Sequence, residues 1–168
     1  MRNTFLPLKD AEKYDNNDIP KLMEKVGLHN KELMRRIIYN VKEMRRIIEK
    51  FHSFNRYINY FKRVHQNGKG WSFEDKYCLM RNLASRFEGI KETNASGFLK
   101  YIGLNIVKSD RWVKRVLFRI GLIGSEKAPY REIYDTCEKM AKEAGLKKKG
   151  LAVVDEVLWA YSSLDAHT

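Results

Sequence analysis

Apolar residues recur every third or fourth position along almost the whole chain, the spacing that lays one stripe down an α-helix. The longest run covers 30–52, where Leu33, Ile37, Val41, Met44, Ile48 and Phe51 make one predicted inward stripe. Before it, Asp18 followed by Ile19-Pro20 reads as a helix cap and a first-turn proline, with Gly27 as the stop. Ser53 is placed to cap a helix over 54–64 that turns Phe54, Tyr57, Ile58 and Phe61 inward. The HQNGKG stretch at 65–70 reads as a loop, and a helix over 73–86 carries Tyr77, Met80, Leu83 and Ala84.

The second half has shorter elements. Glu88-Gly89-Ile90-Lys91-Glu92 predicts a tight turn, followed by a short helix from Thr93 to Tyr101. Gly103 to Ser109 is an irregular apolar loop. Asp110 to Ile120 is a helix with Val113, Val116, Leu117 and Ile120 on one side. Pro129 opens and Gly145 closes a helix whose stripe includes Ile133, Tyr134, Cys137 and Ala141. After the basic loop Lys147-Lys148-Lys149-Gly150, a last helix is marked by Val153, Val154, Val157, Leu158 and Tyr161, with Trp159 read as core. Asp155 and Glu156 read as first-turn acids that favour the helix dipole. No strand pair, repeat or low-complexity tract interrupts the series. The expected class is all-α: one compact domain over 1–168, of about seven helices, with the option of two lobes around one core.

Charge changes this picture. Lys and Arg number 33 against 21 Asp and Glu, a formal net charge of +12. A folded domain this basic calls for a polyanionic partner, nucleic acid before an anionic membrane surface. From 31 to 65 there are ten Lys/Arg and three Glu, which alone reads as an ordinary solvated helix face. No apolar run is long enough to span a membrane, and the first residues lack a signal-peptide core. Cys78 and Cys137 fit a reducing cytoplasm, and two cysteines cannot hold a four-cysteine iron–sulfur cluster. The four histidines have no zinc-ligand spacing, so no metal and no cofactor are expected. His29 and His52 are expected at solvent-facing or turn positions.

Asp110 stands alone among Lys108, Arg111, Lys114, Arg115 and Arg119. By position it reads as a helix cap. An N-terminal Asp can also do chemistry, because cations around it attract a polyanion and keep it ionised. The order around it is helix, glycine turn, helix, apolar loop, acid, basic helix. GIKETNASGFLKYIG (89–103) and IVKSDRWVKRVLFRIGL (106–122) carry that order, and VDEVLWAYSS (154–163) closes it. With these segments the chain resembles the helix-hairpin-helix DNA glycosylase superfamily. VGLHNKELMRRIIYNVKEMRRIIEKFHSFNRYINYF (26–61) is similar to its 3-methyladenine-specific branch. The resemblance covers about 20–164 and is strongest over 95–122, with hairpin and catalytic loop together spanning 86–120.

The resemblance implies a base-excision enzyme acting on double-stranded DNA with a damaged, alkylated purine. Such an enzyme turns the base out of the stack and cuts its C1′–N bond. Positive charge develops on the sugar, and a carboxylate beside C1′ stabilises it and orients water. Asp110 is the candidate carboxylate. Gly89, Ile90, Lys91, Thr93 and Asn94 would present backbone N–H groups to phosphate oxygens, joined by Lys108, Arg111 and Arg115. Trp112 and Trp71 are candidates for the base pocket, and core or loop anchoring is their ordinary reading; Phe73 and Tyr77 are weighed in the same way.

Two departures from the family pattern bear on mechanism. Thr93 occupies the position where bifunctional members carry a Schiff-base lysine, so the expected activity is monofunctional. Lys91 replaces the usual second glycine, and a register slip would bring its amine into question as a lyase group. The family's N-terminal segment, which supplies a pocket wall, a carboxylate and zinc ligands, is expected to be missing, so neither zinc nor that carboxylate carries over. Two other readings stand beside the enzyme. One is a non-catalytic or truncated DNA-binding protein of the same fold, lacking a complete base pocket. The other is a helix-turn-helix regulator, which would need a recognition helix rich in exposed Asn, Gln and Arg at its start, where this chain has Asp110 and Trp112. The expected location is the cytoplasm, at the nucleoid.

Overall fold

The computed structural model describes residues 13–64, 70–147 and 149–165. Most of the expected loop at 65–70, and Lys148 of the basic loop, lie outside the described residues. Among those described there are eight helices and no strand, so the chain is all-α. In order they are α1 (Ile19–Val26), α2 (Lys31–Phe51), α3 (Phe54–Val64), α4 (Phe73–Arg86), α5 (Glu92–Tyr101), α6 (Arg111–Arg119), α7 (Tyr130–Glu143) and α8 (Gly150–Asp165). The chain divides into two compact units, Met1–Ile90 and Lys91–Thr168. The boundary falls inside the expected hairpin turn, so Gly89 and Ile90 close the first unit and Lys91 opens the second.

In the first unit, α1 packs on α2 through Ile19, Leu22, Met34 and Ile38. Gly27 ends α1 in the left-handed conformation, as its position implies. Asp18 does not cap through its side chain; its carboxylate instead accepts the N–H of Asp15 at 2.9 Å. The α2 stripe differs from the expected one. Met34, Ile38 and Ile47 are buried, while Leu33 and Ile48 are exposed. The helix carries apolar neighbours at 33/34, 37/38 and 47/48, so two adjacent stripes are written into it. Packing against α1 and α3 selects between them.

Asn30 caps α2 by accepting the N–H of Leu33, and Ser53 accepts the N–H of Arg56 at the start of α3. Between them His52 turns the chain at φ 62 and is exposed. Phe51, Phe54 and Phe61 ring Tyr57 at centroid distances of 5.2 to 5.5 Å. The Tyr57 hydroxyl donates to Asn82 of α4 at 2.5 Å, and burial pushes its pKa up to about 12. Ser72 and Asp75 form a reciprocal capping box at α4. Glu43, a polar residue on the buried face of α2, accepts Arg86 Nε at 2.6 Å and Arg46 Nη1 at 3.3 Å.

In the second unit, α6 and α7 pack on α8. Ile133, Tyr134, Cys137 and Ala141 are buried, and burial pushes the Cys137 thiol up to about 12. Val113, Val116 and Leu117 are buried as their spacing implies, but Ile120 is the C-cap of α6 and is exposed. On α8, Val154 and Leu158 face inward, whereas Val153, Val157 and Tyr161 are exposed. Trp159 is 50% exposed, which overturns its assignment to the core. An almost wholly apolar helix offers no polar stripe to mark its outer face.

Candidate functional site

Asp110 is the N-cap of α6, in extended conformation. Its Oδ1 accepts two backbone N–H groups, Trp112 at 3.0 Å and Val113 at 3.1 Å. Its Oδ2 lies 3.3 Å from Lys108 Nζ, and the side chain is 14% exposed. One oxygen therefore serves the helix and the other faces a cation.

The loop delivering Asp110, residues 103–109, is apolar and firmly held. Ile106 and Val107 are fully buried. Asn105 Oδ1 accepts the N–H of Ala152 at 3.3 Å, in the first turn of α8. The Tyr130 hydroxyl of α7 donates to the Val107 carbonyl at 3.0 Å. The Lys108 N–H donates to Asp155 Oδ1 at 2.9 Å. The Lys108 side chain then crosses α5 at Gly97, where an added Cβ would stand 3.2 Å from its Cδ. Gly97 thus leaves room for the lysine stem, and the stem leads the amine to Asp110.

Asp155 is 2% exposed and sits in the second turn of α8, because the helix begins at Gly150. The reading of Asp155 and Glu156 as first-turn, dipole-favouring acids is therefore wrong. Asp155 Oδ2 pairs with Lys100 Nζ, which also reaches Glu156 Oε1 at 2.6 Å. Burial raises the Asp155 pKa, opposed by Lys100 and the Lys108 N–H, with the nearby Asp110 charge adding to the rise. Burial alone would lower the Lys100 pKa, but its hydrogen bonds with Asp155 and Glu156 win and hold it above the usual lysine range. Local pattern could not reveal Lys100 and Asp155 as partners, since they are 55 positions apart. The signal available was an acid in register with Leu151, Val154 and Leu158 on one face of the helix, where it must have a buried partner.

The other candidates divide between the units. Arg111 and Arg115, one turn apart, both stand over the Trp112 ring, at 4.7 and 5.4 Å from its centroid. Lys108, Asp110, Arg111, Trp112 and Arg115 thus form one cluster at the start of α6. Lys91, Thr93 and Asn94 lie at the start of α5, whose cap residue Lys91 makes no side-chain cap bond. Lys91 and Asn94 are exposed, and Thr93 is half-buried with its carbonyl accepting Ser96 Oγ at 2.9 Å.

Gly89 and Ile90 belong to the first unit. Gly89 adopts φ 75 and lies under the Arg36 side chain, where an added Cβ would meet Arg36 Cδ at 3.2 Å, so both backbone and space require glycine. The turn is latched to α2: Asn40 donates to the Glu88 carbonyl at 3.0 Å and accepts the Glu88 N–H at 2.8 Å. Arg35 grips the Glu88 carboxylate with both terminal nitrogens, at 3.1 and 2.5 Å. Ile90 gives its N–H to the Phe87 carbonyl at 3.3 Å. Of the turn's expected phosphate donors, Ile90 is thus already committed within the chain. Trp71, also in the first unit and half-buried, precedes Ser72 at the start of α4; Phe73 and Tyr77 stack on each other there at 5.5 Å.

Compared with protein-family models, curated proteins and solved structures, the chain matches none. Among the described residues no helix is long and apolar enough to cross a membrane.

Proposed function

We propose that the protein is a DNA-repair glycosylase that hydrolyses the N-glycosidic bond of a damaged, alkylated purine, with Asp110 as the acting carboxylate. The observation that carries this reading is the division of labour at Asp110: Oδ1 is held by the α6 N-terminus while Oδ2 is left beside Lys108. A carboxylate so fixed can stabilise positive charge developing at C1′ without reorganising, and can orient the attacking water. Lys108, Arg111 and Arg115 supply attraction for the phosphate backbone, and the start of α5 offers backbone N–H groups to it. Thr93 carries no amine and forms no imine, so the reaction ends at an abasic site without strand cleavage. Likeness to the helix-hairpin-helix glycosylases supports this assignment, with the nucleoid as the place of work.

A specific observation favours the second reading, a DNA-binding module without chemistry. Both Asp110 oxygens already have partners within the chain, as a purely structural cap would. One experiment separates the two. Duplex DNA with a single methylated purine or 8-oxoguanine is incubated with wild type and with Asp110→Asn, and base release is scored with and without alkali. Asparagine retains the cap, so the variant folds. The enzyme reading expects alkali-dependent strand breaks and a loss of about 100-fold or more in the variant. Equal, background-level release with salt-sensitive duplex binding gives the binding module instead. Binding insensitive to salt would sink both.

A further inference from the structure

We infer that Asp155 is a positioning residue for Asp110, acting through Lys108, which it holds by the backbone while the Lys108 amine holds the carboxylate. The inference rests on the proposed excision reaction for its kinetic consequence, though not for its structural one.

Three observations converge on Lys108. Its N–H is bound by Asp155 Oδ1 at 2.9 Å. Its stem lies across Gly97 of α5, with Cδ, Cε and Cγ 3.2 to 3.6 Å from the place a Cβ would take. Its Nζ is 3.3 Å from Asp110 Oδ2. Backbone, stem and head are therefore each fixed by a different neighbour, an unusual economy for a flexible side chain that ordinarily gives up about 2 kcal/mol of rotamer freedom when ordered. Asp155 can do this because it is itself immobilised. It is 2% exposed, and its other oxygen pairs with Lys100 of α5. A buried carboxylate is costly in an apolar helix unless it is paired, and here one of its two partners is the main chain leading to the candidate acid.

The groups facing Asp155 are Lys100 from α5, the Lys108 N–H and the Asp110 carboxylate from the loop and cap, and Tyr130 and Cys137 from α7. Glu156, on its own helix, is tied in through Lys100. Only Asp110 among these is a second carboxylate coupled directly to it. Removing the Asp155 oxygen therefore frees the Lys108 backbone.

The test uses the full chain with two variants. Asp155→Asn retains an acceptor for the Lys108 N–H but loses the charge; Asp155→Ala loses both. By amide hydrogen exchange, the Lys108 N–H is protected in wild type and in Asp155→Asn, and exchanges about tenfold faster or more in Asp155→Ala. On lesion-containing duplex, Asp155→Ala loses about 10- to 100-fold in kcat with KM little changed, the range expected for a supporting contact behind an acting group. Asp155→Asn, which keeps the acceptor for the Lys108 N–H, restores most of that kcat. Unchanged Lys108 protection in Asp155→Ala overturns the inference, as does a loss confined to KM. Should Asp155→Ala not fold, a Lys108 N–H that exchanges freely in wild type and in Asp155→Asn overturns it. Should wild type release no base, the excision reading fails alone, and the exchange measurement still decides the role of Asp155.

Discussion

Glu43 in the first unit and Asp155 in the second are both buried acids facing cations, yet they hold different kinds of partner. Glu43 is met by two side chains, Arg86 Nε at 2.6 Å and Arg46 Nη1 at 3.3 Å, so it joins α2 to α4. Asp155 is met by one side chain, Lys100, and by the backbone N–H of Lys108 at 2.9 Å. A guanidinium on a long stem can follow its acid through small shifts. A peptide N–H cannot, because moving it moves the chain on either side. The Glu43 contact therefore bears mainly on how firmly two helices adhere, and the Asp155 contact on where a loop runs. The same chemistry, a carboxylate out of water, contributes stability in one unit and geometry in the other.

The sharpest way to break this comparison is Glu43→Ala, expected to lower unfolding free energy by about 2–3 kcal/mol, because charge-assisted hydrogen bonds are lost and Arg86 is left half-buried without them. The urea midpoint measures it, and a change below about 0.5 kcal/mol would mean the pair merely breaks even with solvent. Next is the latched turn of the first unit. Gly89→Ala combines φ 75 with a Cβ placed 3.2 Å from Arg36, whereas Gly27→Ala has φ 67 and open space. Gly27→Ala should cost about 1 kcal/mol for the left-handed backbone alone, and Gly89→Ala about 2 kcal/mol with the contact added. Equal costs would show that Arg36 moves aside freely.

The smallest effect concerns Glu32. Hydrogen bonds from Arg35 and Arg36 hold its carboxyl well below the usual range, from 4.5 to about 2. A depressed folded-state pKa contributes stability above pH 4.5 that is lost as pH falls toward 2. The Tm gap between wild type and Glu32→Gln should therefore shrink across that window. It will be narrow throughout, because the carboxylate is exposed and water screens it.

Helix limits were legible because they are local. Ser53 accepts the N–H of Arg56 as its position implies, and Gly27 and Gly145 take the left-handed turns that end α1 and α7. Asp18 holds the N-cap position of α1 as read, but its carboxylate accepts the N–H of Asp15 rather than one of the helix. Which of two adjacent apolar residues faces inward on α2 was not legible, because the partner helix makes that choice. Of the candidate site, the cap at Asp110 and the cation beside it could be read from residues two or three apart. The tethers of the preceding loop could not: Asn105, Tyr130 and Asp155 reach across 47, 23 and 47 positions. The acid was visible in the sequence, but what holds it still was not.

Capping by Asp110 has a consequence for how such a site can be lost. Asparagine at that position would still accept the N–H groups of Trp112 and Val113, and the helix would start where it does now. A lineage or a library screened for yield, solubility or melting temperature would pass that change unnoticed. Under the proposed excision reading, descendants lacking that carboxylate would look healthy by every measure except base release.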